Sequence, residues 1–311
     1  MTCFALFLAD RSTRVARRTL CGVIVLKSRD CAAQTRPFFG DLNKKSNDLI
    51  TKDFGTDNKV KVETAAADVK YTANLTKKEK DGSVNGDLSM KVKAYGHEVT
   101  GKLDTAGLLS VDVNLIKLVP QVPDLKLIIK ANSNSALEGK FEYKACSWAS
   151  MTGGVNLAKG PTLASSLVVG HDIFNLGVDV AYNLENGAIL KDDLALGLAM
   201  DNSTAVVVAK DQFKIINASY HVNVNSFGDA AEVGAELALN RASGKVNLTV
   251  GGKTKYNGAT VKAKLNNAGQ LGLSYGIKLN KNTSVTAGAQ IDTSALGKDA
   301  HKVGLSLVLQ D

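Results

Sequence analysis

The sequence predicts an all-β protein, a transmembrane β-barrel of about 19 strands with an N-terminal amphipathic α-helix in its lumen. Three observations predict it. From Lys59 to Gln310, apolar and polar residues alternate with a period of two, the signature of strands with two unlike faces. Glycine-bearing turns punctuate that pattern at regular spacing. The chain has no apolar run of the roughly 18 residues that a spanning helix needs. For a chain built to sit in a bilayer, a closed barrel is the other way to pair every backbone group.

Residues 1–36 differ from the rest. Arg11, Arg14, Arg17, Arg18, Lys27, Arg29 and Arg36 outweigh Asp10 and Asp30, so most of the formal charge of +8 sits here. Arginine-rich, acid-poor composition resembles an organelle-targeting extension, and an appendage with no role in the barrel fits it equally well. Residues 37–55 follow as a short amphipathic helix. Asp41 can cap its start. Leu42, Leu49 and Ile50 share one face, while Lys44, Lys45, Asn47, Asp48 and Lys52 populate the other. Such a helix is too short to hold in water alone and must lean on a membrane or a wall.

Residues 56–311 form the barrel. Leu88, Met90 and Val92 alternate with Ser89, Lys91 and Lys93. Leu137, Gly139, Phe141 and Tyr143 alternate with Glu138, Lys140, Glu142 and Lys144. Val178, Val180 and Tyr182 alternate with Asp179 and Ala181. Val233, Ala235 and Leu237 alternate with Gly234, Glu236 and Ala238. Val285, Ala287, Ala289 and Ile291 alternate with Thr286, Gly288 and Gln290, and Val303, Leu305, Leu307 and Leu309 close the series. Each segment has the length of a tilted strand crossing a bilayer. Gly82, Gly107, Gly187 and Gly269 mark turns, and the four prolines fall at segment ends. Parity is muddled over residues 148–157 and 213–222.

A soluble sandwich also alternates, but its inner face favours large side chains. Here many apolar-face positions are Gly, Ala or Thr, and the opposite face carries charges of both signs, as a water-filled lumen requires. About nineteen strands enclose a lumen too wide for side chains to fill. Aromatic content of 5% means that strong aromatic girdles are missing. Basic residues beyond position 36 are dispersed, which argues against nucleic acid. Cys3, Cys21, Cys31 and Cys146 have no metal spacing, and His97, His171, His221 and His301 have no ligand partner at such spacing. No nucleophile-elbow, phosphate-loop or zinc-protease motif occurs, so the chain reads as a non-enzyme that uses no cofactor.

The residues then resemble the mitochondrial porins, the voltage-dependent anion channels, from about Phe38 onward. The segment from Asp41-Leu42 to Phe54-Gly55 resembles that family's pore helix. Val178-Asp179-Val180-Ala181-Tyr182-Asn183 and Asn217-Ala218-Ser219-Tyr220 resemble its plant-type branch. Val261-Lys262-Ala263-Lys264-Leu265-Asn266-Asn267 through Gly272-Leu273-Ser274-Tyr275 matches the second half of the eukaryotic porin signature; the first half is not met around Lys253 to Tyr256. The last strand, from Lys302 through Gly304 to Leu309, resembles the signal read by the mitochondrial barrel-assembly machinery. This family is itself the known nineteen-stranded exception among barrels, so strand count and resemblance are not independent.

The resemblance implies a voltage-gated, weakly anion-selective pore of the mitochondrial outer membrane, passing ATP, ADP, phosphate and other small solutes with no chemical step. It implies that Lys44 and Lys52 present charge to the lumen, with Asn47 standing where a basic residue is common. Parity puts Lys91, Lys93, Lys126, Lys130, Lys140, Lys144, Lys262 and Lys264 on the lumen wall, beside Glu138, Glu142 and Glu236. A weak nucleotide contact maps to Gln270, Leu271, Gly272, Gly288, Ala289, Gln290, Ile291 and Asp292. Gly101 takes the place of a lipid-facing glutamate found in some animal members. Membrane lipid, the assembly machinery and further copies of the chain are the implied partners. A protein-import channel of the same superfamily, a soluble all-β ligand-binding protein and a plastid envelope location stay open at this point.

Overall fold

A computed structural model gives the fold, describing residues 35–117, 122, 124–158, 160–226, 229–297 and 301–311. The extension over residues 1–34, with Cys3, Cys21 and Cys31, lies outside the described residues, as do Pro120 and Pro123.

Among the described residues, nineteen strands make one sheet that closes on itself. β1 (Asn58–Ala66) is bonded to β2 (Val69–Lys77) on one side and to β19 (Lys302–Gln310) on the other. Sequential strands pair antiparallel all the way round. An up-and-down chain with an odd strand number must bring its first and last strands together in the same direction. That is what happens here: Lys59 stands opposite Ser306 and Glu63 opposite Gln310 in a parallel pair. Closure leaves no free edge.

The alternation resolves into an outer and an inner face. Leu88 is 57% exposed and Leu196 54%, both outward, with Leu103, Leu176 and Leu305 in the same state. A continuous apolar exterior matches hydrocarbon and would drive aggregation in water. A single closed sheet, apolar outside and polar inside, replaces the soluble-sandwich alternative. The turn glycines serve as the sequence predicts: Gly82 has φ +67° and Gly187 φ +70°, where a Cβ is disfavoured.

A break in regular strand geometry precedes each stretch of muddled parity. β7 (Leu137–Cys146) shifts register against β8 (Ala149–Asn156) between Lys144 and Cys146, so one extra residue is inserted before the turn. Asp211, Gln212 and Phe213 all have positive φ, a left-handed turn that delays β13 (Ile215–Ser226) to position 215.

The helical segment is shorter than the sequence predicts and starts differently. A 3-10 turn spans Phe39–Asp41, and α1 spans Lys44–Thr51. Asp41 is not the N-cap. Asn43 holds that position and makes no side-chain cap bond. The tight turn ahead of α1 moves its start by two residues, and the Asp41 carboxylate instead accepts from the Lys44 ammonium at 2.9 Å. The apolar stripe is as expected: Leu42, Leu49 and Ile50 are buried, together with Ser46.

Candidate functional site: the lumen and its N-terminal segment

Residues 35–56 run along the inner wall, and each contact is set by a specific wall residue. The Arg36 guanidinium donates to the Asp172 carbonyl at 2.7 Å, and the Ser150 hydroxyl donates to the Pro37 carbonyl at 2.7 Å. Phe39 and Leu42 join Val168 of β9 (Thr162–His171), Ala195 of β11 (Ile189–Ala199) and Val206 and Val208 of β12 (Ser203–Lys210) in a buried cluster. Ser46 Oγ donates to the carbonyls of Tyr220 and Ala235, each at 3.4 Å, on β13 and β14 (Asp229–Asn240).

Close approach depends on bare backbone. A Cβ placed on Gly234 would lie 2.8 Å from Leu49 Cδ2, and one on Gly251 of β15 (Lys245–Tyr256) 3.0 Å from Ile50 Cγ2. Farther on, Phe54 covers Gly272 of β17 (Gln270–Lys278), and the Gly55 carbonyl covers Gly288 of β18 (Thr283–Asp292). The apolar stripe of α1 is thus buried against glycine-lined wall, which compensates for its shortness.

Lys262 and Lys264 of β16 (Ala259–Asn266) do face inward, but the segment buries Lys262 and partly covers Lys264. Lys264 Nζ donates to the Ile50 carbonyl at 2.9 Å and lies 4.5 Å from the centre of the Phe54 ring. Lys262 Nζ lies 2.7 Å from the Asp53 carboxylate and 3.4 Å from the Lys52 carbonyl, with only 9% of its side chain exposed.

The remaining wall lysines share the inner face with acids. Lys91 of β3 (Val84–Ala94) pairs with Glu98 of β4 (His97–Asp104) at 2.7 Å, and Lys93 reaches the same carboxylate at 3.5 Å. Glu142 pairs with Lys140 at 2.9 Å and with Lys126 of β6 (Leu125–Asn132) at 3.8 Å. Lys130 is exposed on this face, in register with Glu138. Lys144 donates to the Thr35 hydroxyl at 3.1 Å and sits over the Phe38 ring.

On the helix, Lys44, Asn47 and Lys52 are exposed. Lys52 pairs with Asp48 at 2.6 Å. A hydrogen bond to Asp41, reinforced by that carboxylate's charge, raises the Lys44 ammonium above the ordinary lysine range. Lys45 has no carboxylate partner among the described residues.

The region mapped for nucleotide contact divides by face. Gln270 pairs with Asp292, Leu271 with Ile291 and Gly272 with Gln290 across β17 and β18. The two-residue period then turns Leu271, Ala289 and Ile291 outward with the apolar face. Gly272 and Gly288 lie beneath Phe54 and Gly55, so Gln270, Gln290 and Asp292 are the members that face the lumen uncovered. Gly101 is on the outer face, with open space where a Cβ would stand.

Sequence reasoning missed two features. One is Asp53, which carries φ +74° just past α1 and holds Lys262. The other is the set of inner-face glycines, whose signal was available: glycine recurring at positions of polar parity. Among the described residues no cluster of His, Cys, Asp and Glu could hold a metal. Cys146 is buried and has no disulfide partner among the described residues.

Comparison with known proteins says which family has a sequence of this kind. The sequence profile described as eukaryotic porin matches residues 36–304. The chain is 30% identical over 287 residues to a mitochondrial outer membrane protein porin of Candida albicans, covering 86% of this chain and 97% of that one. Mitochondrial outer membrane protein porin 3 of Arabidopsis thaliana is 29% identical, over 88% of this chain and 97% of its own. The porin of Neurospora crassa is 28% identical, over 88% and 99%. The chain is therefore a member of the eukaryotic porin family, a non-enzymatic β-barrel pore of the mitochondrial outer membrane.

Proposed function

We propose that this metabolite pore is voltage-gated and weakly anion-selective, passing ATP, ADP, phosphate and other small solutes by diffusion. One observation carries the reading. The packing of the 3-10 turn and α1 falls on the stretch of wall from β9 through β10 (Phe174–Asn183) to β16. Among the described residues, the inner faces of β2 to β6 make no hydrogen bond or ion pair with the segment, which leaves a water-lined passage along that side. The charges there set selectivity. Lys91 and Lys93 share Glu98, Lys102 pairs with Asp87, Lys126 and Lys140 share Glu142, and Lys130 stands between Asp112 and Glu138, so basic groups outnumber acids only slightly. A slight preference for anions follows.

Gating is assigned to motion of the N-terminal segment, since α1 has two turns and relies on the wall for its stability. Nucleotides meet Gln270 and Gln290 weakly in passing. The last strand, Lys302–Gln310, serves recognition by the assembly machinery, and the apolar exterior serves lipid and further copies of the chain. Reversal potentials across a salt gradient test the selectivity: a small anion-directed value supports it, and clear cation selectivity overturns it. Cysteine cross-linking of α1 to β14 tests the gate. Loss of voltage closure supports segment motion, and unchanged closure assigns the change to the wall.

A further inference from the structure

We propose that Asp53, Lys262 and Lys264 form a latch that pins the C-terminal end of α1 to β16 and sets how readily the segment leaves the wall. The inference rests on the segment being mobile.

A helix leaves its last carbonyls without intrahelical partners and presents the negative end of its dipole there. In α1 the Lys52 amide bonds back to Asp48, which leaves the carbonyls of Ile50 and Lys52 available. β16 answers with lysines at alternate positions, which a strand projects to one face. Lys264 takes the Ile50 carbonyl at 2.9 Å, and Lys262 approaches the Lys52 carbonyl at 3.4 Å. The spacing of two residues on the strand thus matches the spacing of two residues on the helix.

Two further contacts make this more than capping. Phe54 closes over the Lys264 ammonium at 4.5 Å, a cation held against a ring face. Asp53 gives Lys262 a carboxylate at 2.7 Å. Asp53 reaches it from φ +74°, a conformation that costs an L-residue and that glycine would adopt freely. The chain accepts that cost where the backbone turns back to the wall. The ion pair offsets it, because a charge-assisted bond to a nearly buried ammonium is among the stronger polar contacts. Lys262 has no other carboxylate within bonding distance among the described residues. Leaving the wall would therefore strip both lysines of their partners at once.

The charge-only variant Asp53→Asn retains tolerance for positive φ. Lys262→Gln removes the ammonium, and Lys262→Arg restores a cation. Hydrogen–deuterium exchange at the Thr51 and Lys52 amides is measured in lipid nanodiscs without voltage, alongside voltage-dependent closure in planar bilayers. Loss of a bond to a charged group predicts exchange faster by on the order of tenfold in Asp53→Asn and Lys262→Gln. The double variant should exchange no faster than either single, and Lys262→Arg should stay near wild type. Closure should begin at lower voltage in the two latch-free singles. Faster exchange with unchanged closure supports the latch and removes segment motion as the gate. Unchanged exchange in Lys262→Gln, or additive singles, overturns the latch.

Discussion

Leu49 of α1 sits directly over Gly234 of β14, so close that a Cβ on the glycine would come within 2.8 Å of Leu49 Cδ2. The helix can lie flat on the wall because the wall has no side chain there. Gly234→Val should lift the helix at a cost of about 1–3 kcal/mol, the usual penalty for overpacking. Amide exchange in α1 should rise, while Gly139→Ala, at an outward position with open space around it, should change nothing.

Leu42→Ala should weaken the anchor at the other end of the segment. Leu42 is 9% exposed and packs with Phe39, Val168 and Val206. Truncation of a buried leucine costs roughly 2–5 kcal/mol. The loss should appear as lower protection of residues 39–50 from a protease, with the strand content by circular dichroism unchanged.

Glu142→Gln should raise anion preference. The Glu142 carboxylate shares the charge of Lys140 at 2.9 Å and Lys126 at 3.8 Å, and neutralising it releases both. Lys130→Gln should act in the opposite sense. Both effects should be small at physiological salt, where charges more than about 8 Å apart are screened. Reversal potentials at low salt should enlarge them.

Strong acid should loosen the β2–β3 turn. Hydrogen bonds from the Ser83 hydroxyl and then the Ser83 backbone hold the Asp81 carboxyl below its ordinary 3.8. A depressed folded-state value means that the contribution is complete above 3.8 and fades as pH falls through the lower folded value. The Ser83 amide resonance should therefore be steady at neutral pH and shift only in strong acid. Lys44 has the opposite sign. Its raised value keeps the contact with Asp41 complete below 10.5 and loses it as pH climbs past that.

The barrel was legible because a two-residue period repeats along residues 59–310 and glycine marks the turns. Gly82 and Gly187 show how local that information is: each turn is dictated by its own φ. The apolar stripe of Leu42, Leu49 and Ile50 was legible for the same reason. What the period does not encode is which inner-face residues the helix covers. Lys262 and Lys130 have the same parity, yet one is buried under α1 and the other is open. That difference arises from where residues 35–56 cross the wall, a contact spanning more than two hundred positions in sequence. Asp41 misled because a carboxylate before a helix has two options, and the 3-10 turn favoured its ion pair with Lys44 over capping. Asp53 left no signal because its positive φ is imposed by the return of the chain to the wall.

Single-channel conductance of the purified protein in a planar lipid bilayer tests the central claim most directly. A closed nineteen-stranded wall with its helix held to one side predicts large, discrete conductance steps carried by ions of both signs, with a slight preference for anions. A bilayer that stays electrically silent after verified insertion of the barrel would contradict the account.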